Sequence, residues 1–144
     1  PEVIIVGDGP AREEFEEIAR DIYPSTQFVG PKFGSDLKQY FAYADLFVLP
    51  GTGGLAVQEA MAAALPVIVA EGDGTQRDLV SGGNGWLVQP GDLDGLTAAL
   101  HEGLRHPRRL VKMGEKSYIM AVEQFNIERM TEVFVSVLNT VMEG

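Results

Sequence analysis

The sequence contains no cysteine, and this absence excludes two kinds of site. None of its 144 residues offers a thiol that could form a disulfide or hold a metal as a thiolate. The chain has two histidines, His101 and His106, and both fall in a late helical region without ligand-like neighbours. We therefore predict that both histidines lie at the surface, and we expect no metal site.

Positive charge is also scarce. The chain carries 11 lysines and arginines against 21 aspartates and glutamates, which gives a formal net charge of −10. A nucleic acid or an anionic membrane requires a basic face, so we predict that neither is a partner. A small phosphorylated ligand is compatible with this charge, because backbone N–H groups at the start of a helix can hold a phosphate.

Long hydrophobic runs and an initial methionine are missing as well. No segment approaches the roughly 20 apolar residues of a membrane span, and no signal peptide is visible. These absences predict a chain without a membrane span and a cytoplasmic location. Because the chain starts at Pro1 and enters the apolar run EVIIV at once, we expect residues 1–144 to be a single domain cut from a longer protein.

Apolar runs alternate with helical patterns along the chain, which predicts an α/β fold. EVIIV is typical of a strand that is covered on both faces. Strands that are separated by crossover helices form a parallel sheet. We therefore predict a Rossmann-like three-layer domain, a parallel sheet with helices on both faces and additional C-terminal helices. The predicted strands are 2–6, 26–30, 45–50, 66–71 and 85–89; the predicted helices are 11–23, 35–44, 53–65, 75–81, 92–104, 107–122 and 126–142.

Glycine is concentrated where such a sheet binds ligands, outside the carboxyl ends of its strands. Of the five loops at that end, the four at 6–10, 29–35, 49–54 and 70–75 are glycine-rich. Several glycines at one end of a sheet indicate a backbone that approaches a ligand closely. Tight connections between helices and strands are the alternative explanation.

The helix after the third strand carries a carboxylate, Glu59, among almost continuous apolar residues. A helix that is apolar nearly all round is usually buried, and a buried carboxylate needs hydrogen bonds. Side chains on a helix lean towards its N-terminus. Glu59 could therefore bind the hydroxyls of a ligand whose phosphates lie on the N–H groups of residues 53–56. Alternatively, Glu59 is half exposed and merely favoured by the helix dipole.

The same stretch also fits a dinucleotide-binding fingerprint. Gly51, Gly53 and Ala56 have the spacing of that motif, and Glu71 ends the next strand about twenty residues later, where an NAD-binding acid would lie. Pro50 interrupts the junction between strand and glycine loop, and Glu59 would have no role. An NAD(P)-binding domain is nevertheless an alternative.

An ordered set of motifs runs through nearly the whole chain: VGDGP (6–10), FVG (28–30), YADLFVLP (43–50), GGLAVQEAMAAALPVI (53–68), DG…DLV (73–80), GGNGWLVQPGD (82–92) and EQFNIERM (123–130). In this order they resemble the C-terminal, donor-binding domain of retaining glycosyltransferases of the GT-B fold, the family-four or group 1 glycosyl transferases. The resemblance implies that the chain is the nucleotide-sugar-binding domain of such an enzyme and lacks its first strand and its N-terminal, acceptor-binding domain.

The resemblance also implies donor-binding residues, although it assigns no catalytic residue. Glu59 matches the second glutamate of the family's E-x7-E motif, which holds the ribose. In the family, the start of this helix faces the donor diphosphate, and the matching residues here are Gly53, Gly54, Leu55 and Ala56. The other implied donor contacts are Gly51 and Thr52 before the helix, Gly30, Pro31 and Lys32 at the nucleobase, and Gly7 and Gly9 in the first loop.

Two departures from the family pattern affect the donor site. The first glutamate of E-x7-E, which touches the donor sugar in the family, falls on Gly51. The glycine-Arg loop and the lysine that neutralise the diphosphate in the family have no counterpart here, and Lys32 and Arg77 are the candidates to replace them. Ala64 also stands where the family often has glycine.

The resemblance implies a UDP-sugar or GDP-sugar donor, transfer to a hydroxyl acceptor and no cofactor. The other implied partner is the N-terminal domain, which could hold the enzyme at the cytoplasmic face of a membrane. Without that domain we expect little or no transferase activity, and the apolar face of the last helix could cause self-association. A non-catalytic scaffold with a decayed donor site is a further alternative, which Gly51 supports.

Overall fold

The chain folds into two compact units, Pro1–Tyr40 and Phe41–Gly144. The computed structural model describes residues 1–51 and 53–142. The two units are described separately below.

The first unit is built around two parallel strands. Its elements are β1 (Ile4–Val6), α1 (Arg12–Ile22), β2 (Gln27–Gly30) and α2 (Gly34–Tyr43), the last of which runs across the boundary between the units. The strands pair in parallel, and their register shifts between Ile5 and Val6. The prediction that the first strand is covered on both faces is wrong, because Ile5 is 40% exposed. A two-stranded sheet has too few side chains to cover β1 completely.

The second unit contains three parallel strands in the order β3-β4-β5. Its elements are β3 (Phe47–Leu49), α3 (Leu55–Ala62), β4 (Val67–Ala70), α4 (Thr75–Leu79), β5 (Gly85–Val88), α5 (Leu93–Arg105), α6 (Pro107–Gln124) and α7 (Ile127–Met142). All four residues of the central strand β4 are buried. The α/β class with parallel strands and flanking helices is confirmed, although the strands form one sheet in each unit.

One buried cluster of the second unit lies between the sheet and α5. Ile68, Ala70, Val88 and Ala99 form a buried cluster, and partly buried apolar residues such as Trp86 pack against it. The indole N–H of Trp86 donates a hydrogen bond of 3.0 Å to Glu102. These contacts fix the three strands against α5.

Two helix caps and both histidines lie as the sequence indicates. The Asp92 carboxylate accepts a hydrogen bond of 2.8 Å from the Gly95 N–H at the start of α5. His101 and His106 are exposed, which confirms their predicted surface position. The Asn126 side chain accepts from the Arg129 N–H at 2.6 Å and caps α7.

The helix α3 ends earlier than predicted, at Ala62, because the chain turns into the left-handed region at Ala64 (φ 59°). The N–H of Leu65 donates to the Ala60 carbonyl at 3.1 Å, and the N–H of Ala64 donates to the Met61 carbonyl at 2.9 Å. This pair of bonds is a Schellman motif, in which the left-handed position is usually glycine. Here an alanine occupies it.

Replacing this alanine, Ala64→Gly, is expected to stabilise the protein. The left-handed conformation costs an L-residue about 1–2 kcal/mol, and glycine avoids this cost while losing more entropy on folding. The net gain should be about 0.5–1 kcal/mol, measured from the midpoint of urea denaturation. The exposed Ala63→Gly change next to it, at φ −86°, is the matched control and should not stabilise. A loss of stability in Ala64→Gly would contradict the conformational explanation.

The last helix, α7, has no buried residue. Its apolar side chains lie 44–83% exposed, and they are Ile127, Met130, Val133, Phe134, Val135, Val137, Leu138, Val141 and Met142. The apolar face on which the predicted self-association depends is therefore uncovered; the self-association itself stays a prediction. In the part of the chain that the structure describes, no helix combines the length and the apolar character needed to cross a membrane.

Candidate functional site

The start of α3 has the geometry of an anion site. The first N–H groups of an α-helix have no partner within the helix, and they carry its positive dipole end. The N-cap residue of α3 is Gly54, which has no side chain that could occupy these N–H groups. Leu55 is 78% exposed, and Ala56 is exposed as well. The predicted diphosphate contacts at Gly53–Ala56 therefore lie on an accessible helix start.

The loop before this helix contains the two predicted sugar-side residues. Gly51 is exposed, and open space surrounds the position that a Cβ atom would take there. Thr52 lies outside the described residues. Gly53 is half-buried, and a Cβ atom on it would stand 3.1 Å from Leu49 Cδ2. The close packing of Gly53 against β3 brings the helix start onto the carboxyl end of that strand.

The helix that carries Glu59 is not buried all round, so this prediction is wrong. Val57, Ala60 and Met61 are its buried residues, whereas Glu59 is exposed. The buried side chains recur at positions i, i+3 and i+4, so they form one face that packs on the rest of the unit. The other face carries two alanines and an exposed leucine beside its two polar residues, and these apolar residues make the helix look more buried in sequence than it is.

Glu59 nevertheless lines a shallow, open groove. The groove has a volume of about 590 Å³ and runs between α3 and the end of α6. Glu59 and Glu128 supply its carboxylates. The remaining lining residues are Leu55, Gln58, Ala62, Ala121, Val122, Phe125 and Asn126. A mainly apolar groove with a carboxylate one turn from a helix start can hold a flat or ring-shaped polar ligand by its hydroxyls.

Glu71, the acid that the dinucleotide alternative requires, is engaged by protein groups. Its carboxylate accepts hydrogen bonds from the Arg77 guanidinium and, at 2.7 Å, from the Gln89 amide. The Arg77 hydrogen bond and then that of Gln89 hold the pKa of Glu71 below its ordinary value. The pairing also engages Arg77, one of the two cations that could replace the missing diphosphate partners.

In the first unit, the structure brings Gly7 and Gly30 together. The Gly7 N–H donates to the Gly30 carbonyl at 3.0 Å. Gly7 (φ 135°) and Gly30 (φ 72°) both lie in the region that favours glycine. Pro31 is exposed and Lys32 half-buried beyond the end of β2. The neighbouring Gly9 is exposed, and its N–H donates to the Asp8 carboxylate at 2.8 Å.

Arg12 in this unit makes contacts that its sequence position did not predict. Its Nη2 donates to the Phe28 carbonyl at 3.2 Å, and its Nε donates to Glu16 at 2.7 Å. The available signal was a cation in the first turn of a helix, where the dipole favours acidic residues. Such an unfavourable placement indicates that a specific contact holds the side chain.

Comparison with known proteins identifies the family. The sequence profile described as "Glycosyl transferases group 1" matches residues 1–106, well over half of the chain. The chain therefore belongs to the group 1 glycosyl transferases. This membership confirms the resemblance inferred from the ordered motifs and favours it over the NAD(P)-binding alternative.

Three relatives show how far the similarity extends. The chain is 35% identical over 113 residues to the sulfoquinovosyl transferase of Arabidopsis thaliana, covering 74% of this chain and 21% of that protein. It is 36% identical over 108 residues to a GDP-mannose-dependent alpha-mannosyltransferase of Mycolicibacterium smegmatis, covering 73% and 27%. The structure of HepE from Anabaena in complex with UDP shares the fold, with a TM-score of 0.79, 21% identity and 96% and 41% coverage. The chain thus spans about a fifth to two fifths of these relatives.

Proposed function

We propose that this chain binds the nucleoside diphosphate part of a sugar donor and serves as the donor-binding part of a retaining glycosyltransferase. The donor is a UDP-sugar or a GDP-sugar, and the acceptor is a hydroxyl group. The printed names of the relatives include a GDP-mannose-dependent enzyme and a complex with UDP, and these support the donor class.

The observation that carries the proposal is the position of Glu59 one turn beyond an uncapped helix start. Glu59 lines the groove, and the N-cap residue Gly54 has no side chain that could occupy the first N–H groups of α3. In the proposal the ribose hydroxyls donate to Glu59 and the diphosphate oxygens accept from the N–H groups of Gly54–Ala56. Carboxylate–hydroxyl and N–H–phosphate bonds are charge-assisted and therefore stronger than neutral ones.

The chemistry of the proposed reaction explains why this chain alone should bind but not turn over. Sugar transfer passes through an oxocarbenium-like state, and a leaving diphosphate requires electrostatic stabilisation. The start of α3 supplies part of that stabilisation. Of the two cations that could replace those of the family, Arg77 pairs with Glu71 and Lys32 is half-buried. We therefore propose that acceptor binding and full charge neutralisation belong to a longer protein.

Titration with UDP, GDP and NAD followed by two-dimensional ¹⁵N NMR tests this function. We expect UDP or GDP to bind with a Kd on the order of 0.1–10 mM, equivalent to about −3 to −5 kcal/mol. Because a hydrogen bond to a charged group contributes about 1.5–3 kcal/mol, Glu59→Ala should weaken binding by about tenfold or more. Signals of the Gly54–Ala56 amides should shift on binding.

The matched control is Glu128→Ala, which removes the other carboxylate of the same groove and should leave the Kd within about twofold. An equal effect of both variants would indicate general electrostatics and would remove the ribose role from Glu59. Preferred binding of NAD would support the dinucleotide alternative. Absence of binding by all three nucleotides would support the scaffold with a decayed site.

A further inference from the structure

Helix α6 and the turn before it concentrate positive charge in an otherwise acidic chain. Residues 104–119 contain five of the chain's 11 lysines and arginines and one of its 21 aspartates and glutamates, Glu115. The net charge of −10 predicts no anionic macromolecule as partner, but a net charge averages over faces of opposite sign. This segment differs in sign from the chain as a whole.

Three cations follow one line along the exposed side of α6. Arg108, Lys112 and Lys116 are exposed and recur every four residues, a spacing that places neighbouring side chains on the same side of a helix. In the part of the chain that the structure describes, none of the three forms an ion pair. Arg109, by contrast, pairs with Glu102. The charge of Arg109 is therefore compensated within the protein, whereas the other three present theirs to solvent.

Exposed apolar side chains lie beside this line of cations. Val111 is 65% exposed, Tyr118 50% and Ile119 51%. Val111 and Ile119 each follow a cation by three residues, so they adjoin the line on the helix surface. Tyr118 comes seven residues, or about two helical turns, after Val111 and lies on the same side. These three residues and the three cations form the basic–apolar face of α6.

The opposite side of α6 holds the helix against the second unit. Its buried residues are Leu110, Met113, Gly114, Ser117 and Met120. Because these side chains anchor the helix, the basic–apolar face is a formed surface in the free protein. A partner that binds to it does not have to order the helix first, which lowers the entropic cost of binding.

Cations mixed with exposed apolar side chains fit the surface of an anionic membrane better than a nucleic acid. At such a surface lysine and arginine are attracted by the lipid charge, and apolar side chains enter the boundary between headgroups and acyl chains. Tyrosine is favoured at this boundary, because its ring is apolar and its hydroxyl polar. A nucleic acid backbone attracts the cations as well, but it offers no apolar environment to Val111 and Ile119.

We propose that the basic–apolar face of α6 docks the protein on the surface of an anionic phospholipid bilayer. The helix lies along the surface in this arrangement and does not cross the bilayer. None of the six residues lines the groove that holds Glu59. The docking therefore does not depend on the proposed donor binding, and either proposal can fail without the other.

Co-sedimentation with phospholipid vesicles tests the docking. The vesicles contain phosphatidylcholine alone, or phosphatidylcholine and phosphatidylglycerol in a ratio of about two to one. We expect binding to the mixed vesicles and binding at least about tenfold weaker to the neutral ones. The double variant Arg108→Gln/Lys112→Gln should weaken binding to the mixed vesicles about tenfold to thirtyfold. Ile119→Ser should weaken it about threefold or more, because the side chain no longer enters the apolar boundary.

The matched control is Arg20→Gln/Lys38→Gln, which removes the same charge from exposed residues of the first unit. This variant should bind the mixed vesicles within about twofold of the unchanged chain. Equal weakening by the two double variants would indicate general electrostatics and would overturn the proposal. Equal binding to neutral and mixed vesicles would overturn it too, as would binding to a single-stranded oligonucleotide as tight as that to the mixed vesicles.

Fluorescent labelling locates the contact, because the chain has no cysteine of its own. The single variants Tyr118→Cys in α6, Val141→Cys in α7 and Ser35→Cys in the first unit carry the same environment-sensitive dye. On mixed vesicles we expect a blue shift of the dye at position 118 and none at position 35. A shift at position 118 supports the proposal with or without a shift at position 141. A shift at position 141 without one at position 118 would assign the contact to α7 and overturn the proposal.

Discussion

Replacing Gly114 by alanine is expected to lower the free energy of unfolding of the second unit by about 3 kcal/mol or more. A Cβ atom at this position would stand 2.1 Å from the Ala64 carbonyl oxygen and 3.0 Å from its carbonyl carbon. Both atoms are backbone, so no side chain can rotate away. Helix α6 would have to move off the turn that ends α3. Urea denaturation followed by the fluorescence of the single tryptophan, Trp86, measures the loss.

A second helical glycine supplies the matched control. A Cβ atom on Gly103 in α5 would stand 3.4 Å or more from its neighbours, and these are side-chain atoms. Gly103→Ala should therefore be neutral or stabilise by up to about 1 kcal/mol, as alanine favours the helix over glycine. If Gly114→Ala were as stable as Gly103→Ala, the close approach of α6 to Ala64 would be disproved.

Truncating Ile68 should cost the second unit about 3–4 kcal/mol in Ile68→Ala. The side chain is 0% exposed and lies in the central strand of the buried cluster. Its removal loses the transfer free energy of three methyl or methylene groups and leaves a cavity between the sheet and α5. The free energy of unfolding from the same tryptophan-detected urea curves checks the value.

Two further variants show whether the loss depends on the number of atoms removed and on their burial. Ile68→Val removes one methylene group and should cost about 1 kcal/mol. Val111→Ala removes apolar atoms from a side chain that is 65% exposed, and its effect should stay within about 0.5 kcal/mol. A small loss in Ile68→Ala, equal to that of Ile68→Val, would mean that the core refills the space.

Strand β4 shows what the sequence could predict, and helix α3 shows what it could not. The run PVIVA is apolar throughout, and the structure buries all four residues of β4, because a central parallel strand is covered on every side. The end of α3 depends on the turn at Ala64, and that turn packs against Gly114, fifty residues later in the chain. Local helix propensity contains no information on such a contact.

Around the candidate site, the order of loops and helix start along the chain was predictable, but the exposure of the side chains was not. The glycine loops and the helix start could be read from their order along the chain, since the carboxyl ends of parallel strands hold ligands. The exposure of Glu59 could not be predicted, because a count of apolar residues does not say which face of a helix the rest of the chain covers. Arg12 was missed because its contact with Phe28 arises only when α1 crosses over from β1 to β2.

The exposure of helix α7 affects the stability of the helix itself. It contains 16 residues and buries none of them, and isolated helices near 12–15 residues are only marginally stable in water. Packing within the described chain therefore contributes little to its helicity. Its helix–coil equilibrium should follow the environment of its apolar face, so the fraction of helix in α7 would rise with whatever shields that face from water.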